Sequence, residues 1–337
     1  MKFLIKFVIL VFFIGLILTV VAFASGVDLT NINDYFIDDE AYGDQIEYVT
    51  TTSIDALNID VETRNIYIVS STNDSIVVTY YAHEKDTWNV EEVNGTLNVV
   101  QSSEPIIFSW FNFKRASNEV LTVYIAIPDD LILDYSMGTA TGEVIFSQGP
   151  DLLLDLSIDA NIGDVIIENK TMESLRIRMN TGDISLNGLV VSGILDAKTD
   201  IGDLDISESS SDQFILESST GDVAMNNLDG NLVDVSSDTG DIHISDANIL
   251  GVIELSTSTG NVTVTDAIGT GYDISSSTGN VSFTSTTSMD IRYNLETSIG
   301  TVRVNGDNQG TKHTTTTGAI TLKVDVSTGN ITVNVQD

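Results

Sequence analysis

One phrase, Thr181-Gly182-Asp183-Ile184, returns with small changes through the C-terminal part of the chain, and its spacing leaves few folds open. The glycines of the series are Gly142, Gly163, Gly182, Gly202, Gly221, Gly240, Gly260, Gly279, Gly300, Gly318 and Gly329. They stand 18 to 21 residues apart until the last pair, which is 11 apart. A steady period of about 20 residues marks a solenoid, in which one repeat is too small to bury its own apolar face and must stack on its neighbours.

The repeat has its own grammar. Apolar residues sit two and four positions after each glycine, as in Ile184 and Leu186, Val223 and Met225, Val262 and Val264. Others sit seven and five positions before it, as in Leu175 and Ile177, Val233 and Val235, Ile253 and Leu255. Strict alternation means strands with one buried face, because successive side chains on a strand point to opposite sides. The position three before the glycine is small (Thr199, Ser218, Ser237, Thr257, Ser276, Thr297), as suits an inward residue beside a tight bend. The glycine supplies a corner conformation that a residue with a Cβ resists.

The expected fold is therefore all-β: a right-handed parallel β-solenoid, β-helix-like, with about 20-residue repeats, two strands per turn and an irregular β N-terminal cap. At a strand spacing of about 4.8 Å, ten intervals give a rod of roughly 50 Å. An antiparallel sandwich would also alternate, but it would not hold one glycine per turn in fixed phase with its strands.

Four segments follow. Residues 1–25 are a transmembrane anchor or signal peptide, because an apolar run from Phe7 to Ala24 follows Lys2 and Lys6. Its 18 residues reach the lower range of a membrane-spanning helix. Lys2 and Lys6 stay inside by the positive-inside rule, which sends the body out of the cytoplasm. Ala22-Phe23-Ala24 offers a cleavage site, so secretion after cleavage near Ala24 is the alternative to a retained single-pass anchor. Residues 26–45 are an acidic juxtamembrane linker, 46–130 the β-rich cap, and 131–337 the repeat solenoid. In the cap, strands are expected at 56–61, 65–70, 75–82, 88–93, 96–101 and 120–127, with Asn94-Gly95 as a hairpin turn. The chain ends on Ile331-Thr332-Val333-Asn334-Val335, expected to be an uncapped strand free to pair with another chain.

The functional positions are those that face outward. The residue after each glycine forms a column: Glu143, Asp164, Asp183, Asp203, Asp222, Asp241, Asn261, Asn280, Thr301, Ala319 and Asn330. Stacked carboxylates invite Ca2+. Asp and Asn are also favoured turn formers whose side chains bond nearby backbone, and that reading is preferred here. From Thr199 to Ile291 there are 16 acidic residues and no Lys or Arg, so a weak association with divalent cations is expected. The whole chain carries 14 basic and 49 acidic residues, a balance that repels nucleic acid. It has no cysteine, which excludes disulfides, thiol catalysis and thiolate metal sites.

A loop from Ile106 to Arg115 holds Phe108, Trp110, Phe111 and Phe113 beside Lys114 and Arg115. It reads as a plug over the end of the core, with ligand or membrane contact as the alternative. Catalysis finds little support. His83, His243 and His313 lie in different units, and the short connections build no cleft. No residue is assigned a catalytic, cofactor-binding or metal-ligating role, and no cofactor is expected. A threonine array, suggested by Thr314–Thr317 and the Thr-Gly corners, places its threonines at a corner rather than on a flat face.

The Thr/Ile-Gly-Asp/Asn-apolar units from Gly142 to Gly279, with the preceding strand Val120–Pro128, resemble the bacterial putative-adhesin family, a domain of unknown function behind an N-terminal membrane segment. The resemblance covers roughly residues 46–337. It implies a surface-exposed β-solenoid in the cell envelope and brings no catalytic residues. The expectation is a non-enzymatic cell-envelope module, adhesive, structural or interactive, whose partner is an envelope or surface component and which meets the membrane through residues 7–24. The alternative is a carbohydrate-active β-helix enzyme, a polysaccharide lyase or hydrolase. Clustered carboxylates with an Arg or Lys in a crevice would favour that enzyme.

Overall fold

The computed structural model describes residues 39–104 and 116–336. The N-terminal apolar run, most of the acidic linker and the aromatic loop from Ile106 to Arg115 lie outside the described residues. Among the described residues there is no helix, and 29 strands form a single continuous sheet. No helix among them is long and apolar enough to cross a membrane.

The repeats stack in parallel, as their alternation requires. Before each corner runs one row of strands, here the A row: Asp134–Thr141 pairs with Asp155–Ile162, which pairs with Ser174–Thr181. In register, Tyr135, Leu156, Leu175, Leu195, Phe214, Val233, Ile253 and Tyr272 follow one another up the core. After the corner comes the B row, where Val144, Val165, Ile184, Leu204, Val223, Ile242, Val262 and Val281 stack likewise. All of these side chains are 2% exposed or less. The expected phase holds in detail: Ile242 is fully buried while His243 beside it is exposed.

The turn has three rows rather than two. A short C row, Thr171–Met172 against Val190–Val191, then Ser210–Ser211, Asp229–Gly230 and Asn248–Ile249, occupies what the alternation alone reads as a return loop. Between the B and C rows runs a second column of left-handed residues: Gly149, Asn169, Gly188, Glu208, Asn227, Asp246, Asp266 and Asn305. Most stand six residues after a corner glycine, a signal the sequence carries and that the main glycine series hides.

The main corner is glycine because the turns touch there. A Cβ on Gly182 would lie 1.8 Å from the carbonyl oxygen of Gly163, a clash that no side-chain motion relieves. The small residue three before each glycine has a task beyond size. Its hydroxyl donates to the glycine carbonyl of the rung below: Ser218 to Gly202 at 3.1 Å, Thr257 to Gly240 at 3.1 Å, Ser276 to Gly260 at 3.0 Å. An inward carbonyl without a partner would otherwise cost free energy comparable to a lost hydrogen bond.

At both ends the spatial order departs from chain order. Ala56–Val61 lies between Thr96–Ser103 and Asp134–Thr141, and Asn65–Ser70 between Thr122–Ile127 and Val144–Phe146. Arg64 takes the corner position of that rung. Its carbonyl sits under Gly142 and accepts from the Thr139 hydroxyl at 3.0 Å. Its guanidinium is buried against Asp86, 5.3 Å from the Tyr42 ring centroid and 5.8 Å from that of Trp88.

The C-terminal end corrects two expectations. Ile320–Thr328 is wedged between Gly271–Thr278 and Ile291–Ile299, and Ile331–Val335 between Val281–Ser285 and Val302–Val304. The last strand is thus an interior strand with both edges used, not a free one. Gly329 takes the corner place between Gly279 and Gly300, whereas Gly318 abuts Ile291 and Arg292 and lies outside the column, as does Ala319. The outer edge is closed by Asp307–Gly310 and Lys312–Thr314, both antiparallel to the last full rung.

Candidate binding groove

From Asp164 onward the post-glycine column is a hydrogen-bonded ladder. The backbone N–H of Asp183 donates to Asp164 Oδ1 at 2.9 Å, Asp203 to Asp183 at 2.8 Å, Asp222 to Asp203 at 2.8 Å and Asp241 to Asp222 at 2.7 Å. Asn261, Asn280, Asn330 and Thr301 continue it in that spatial order. The side chains therefore bond backbone, as turn chemistry requires, but across rungs rather than within one turn. One rung earlier Asn65 accepts from the Glu143 N–H at 2.9 Å, but the Glu143 carboxylate turns to the Tyr67 hydroxyl and does not carry the series on to Asp164. Among the described residues no three of His, Cys, Asp and Glu gather closely enough to hold a metal ion.

The histidines do not converge. The Nδ1 of His83 accepts from the Lys85 N–H at 3.1 Å and its ring meets Tyr42, His243 faces solvent on the B row, and His313 packs against Tyr293.

The described surface does hold a groove that no motif announced. It has a volume of about 480 Å³ and runs over five A-row rungs: 96–98, 56–58, 134–136, 155–157 and 174–176. Its outward column reads Asn98, Asn58, Ser136, Ser157 and Arg176 in register, with Asp134 and Asp155 at the strand starts. Asn58 donates to Asn98 at 3.1 Å and Ser174 to Asp155 at 2.5 Å. Arg176, Asp134, Ser136 and Ser157 have no side-chain partner among the described residues. The neighbouring cations differ, since Arg178 is paired with Asp196 and Lys198 with Glu217. Beneath the groove Tyr135 is buried with an unpartnered hydroxyl, and burial pushes its pKa up. Sequence reading missed this site because its groups come from five stretches, each unremarkable alone, and two of them, 56–58 and 96–98, join the other three only through the displaced rung order.

A second groove of about 450 Å³ lies on the C row between Val190 and Leu250. There the polar groups pair among themselves, Asn231 with Asp212 and Asn248 with Asp229.

Residues 54–334 match the family described as Toastrack DUF4097. No curated protein matches the chain. Among solved structures, a putative adhesin from Bacteroides fragilis NCTC 9343 is 16% identical over 88% of this chain and 99% of its own, with a TM-score of 0.38. A putative lipid binding protein from Parabacteroides distasonis ATCC 8503 is 14% identical over 88% and 98%, at 0.33. A putative adhesin from Parabacteroides merdae ATCC 43184 is 13% identical over 87% and 96%, at 0.30. Scores this low carry no argument about the site.

Proposed function

We infer that this chain, which belongs to the Toastrack DUF4097 family, is a non-enzymatic surface module of the bacterial cell envelope that presents a rigid β face to another envelope or surface component. The body stands outside the cytoplasm on the apolar segment 7–24, or is released after cleavage near Ala24. Support for this placement comes from Lys2 and Lys6 ahead of the apolar run. The turns wind right-handed at about 20 residues each, as parallel crossovers almost always do. A crystal structure of residues 46–337 with left-handed turns would overturn that part.

The observation that carries the non-enzymatic reading is the one-sidedness of the groove. Asp134, Asp155 and Arg176 are the carboxylates and cation that a carbohydrate-active enzyme would use, and they favour that second reading as far as composition goes. A hydrolytic acid and its partner must, however, flank the scissile bond. Here both carboxylates stand on adjacent rungs of one face, so they meet the same side of anything lying there. The groove is also open to water, which weakens electrostatic stabilisation of a transition state.

The test has two arms. Protease shaving of intact cells should release the body, and residues 46–337 should retain a component of isolated envelope in a pull-down. A reporter fused after Asp337 that is active only in the cytoplasm would sink the placement. Chain cleavage of an envelope polysaccharide by the purified protein, abolished by Asp155→Asn, would replace the binding reading with the enzymatic one.

A further inference from the structure

We propose that the five-rung A-row groove is a binding site for a neutral glycan, lying along the solenoid axis with its hydroxyls read by Asp134, Asp155, Asn98 and Arg176. The inference rests on the surface-module reading and names its ligand class.

The argument begins with what the face cannot do. It is a sheet face, so its backbone N–H and C=O groups are spent in the parallel ladder on either side. An extended peptide therefore has no edge to join, and recognition falls to side chains. Those side chains mix three kinds of group within one depression: carboxylates that only accept, a guanidinium that only donates, and amides and hydroxyls that do both. A ligand that satisfies such a set must itself donate and accept at closely spaced points. Vicinal hydroxyls do both.

Charge narrows the class further. A polyanion would meet Asp134 and Asp155 inside the groove and a chain of net charge −35 outside it. A polycation is drawn by the net charge of −35 but inside the groove meets Arg176, whose guanidinium has no carboxylate partner among the described residues to neutralise it. In an acidic protein whose neighbouring Arg178 and Lys198 are both paired, an unpaired arginine beside two carboxylates is the feature that calls for a neutral oxygen-rich ligand.

The floor is kept low. Ser136 and Ser157 occupy the centre of the column between Asn58 and Arg176. Gly138 follows outward on the same strand. Its backbone is not left-handed, and a Cβ there would meet nothing nearer than Asp60 Oδ1 at 3.4 Å. That glycine lies one outward position beyond the residues lining the groove and carries no side chain to wall it off there. Five rungs at the strand spacing span about 19 Å, enough for several sugar units in a row.

The experiment uses the full-length chain in detergent micelles. Fluorescein-labelled hexamers of β-1,4-linked glucose and of β-1,4-linked N-acetylglucosamine are titrated and read by anisotropy. A galacturonate hexamer and spermine serve as charged probes. At least one neutral hexamer should bind, and Arg176→Ala should weaken it about tenfold or more, as loss of a charge-assisted hydrogen bond does. Ser157→Trp, which fills the floor, should abolish binding. Both positions face outward, so melting temperatures should stay at the wild-type value, and Ala224→Trp on the B row should leave affinity unchanged. Failure of both neutral hexamers, preference for galacturonate or spermine, or equal affinity in all three variants would overturn the site. Retention of envelope material by the Ser157→Trp protein at the wild-type level would also overturn the groove while leaving the surface-module reading standing.

Discussion

The wedge at the C-terminus makes a prediction that separates an interior last strand from a free one. Val333 is fully buried on a strand that pairs with Val281–Ser285 on one side and Val302–Val304 on the other. Val333→Ala removes two methyl groups, at about 0.8 kcal/mol each for transfer alone. The hole left between two rungs adds a cavity term, so the total should be about 2–3 kcal/mol. Asn334→Ala, one residue on and exposed, should cost about 0.5 kcal/mol or less. Urea melts of residues 46–337, fitted with a common slope, measure both. Nearest-neighbour coupling in a stacked array means the loss is shared by two interfaces, so Phe283→Ala and Val333→Ala, in register on adjacent strands, should be non-additive. A Val333→Ala midpoint equal to that of Asn334→Ala would refute the wedge and restore a terminal edge strand.

The other predictions are brief. Ile242→Asp should cost several kcal/mol as an unpaired buried charge, while His243→Asp next to it should fall within about 0.5 kcal/mol of wild type by the same melts. Glu92 accepts from the Thr52 hydroxyl, from the Thr51 and Thr52 N–H groups at 2.8 Å and from Tyr48 at 3.0 Å, which hold its carboxyl down at about 2. Its folded value lies below the ordinary glutamate value of about 4.3, so its contribution is present above that value and lost as pH falls toward about 2; Glu92→Gln should flatten the acid limb of a melting-temperature profile, and an unchanged limb would remove Glu92 from the account. For cations, NaCl and CaCl2 at matched ionic strength should raise the melting temperature equally, because each ladder aspartate already spends an oxygen on the next rung; a saturable calcium-specific rise, lost in Asp203→Asn/Asp222→Asn/Asp241→Asn, would establish a site instead.

What the sequence disclosed, and what it withheld, has one physical origin. Side-chain phase is a local property. Leu255 and Val264 had to face inward because their neighbours alternate, and Gly221 had to be glycine because a Cβ there would lie 2.0 Å from Gly202 O. Such requirements repeat at every turn and are written at every turn. The order of stacking is not local. Gly279 and Gly300 are 21 residues apart and in phase with one another, so direct stacking reads as well as the wedged arrangement in which Gly329 lies between them. The same ambiguity at the other end places Ala56–Val61 inside Thr96–Ser103. The groove inherits it. Asn98, Asn58 and Ser136 become neighbours only because the first rung slides between the second and third, and no period in the sequence marks that exchange. The surface face most fitted for recognition thus lies where the regular array gives way, at the end where a displaced rung can gather residues 40 and 78 positions apart, those of Asn58–Asn98 and Asn58–Ser136. In the uninterrupted middle, each rung meets only the repeats next to it in the chain.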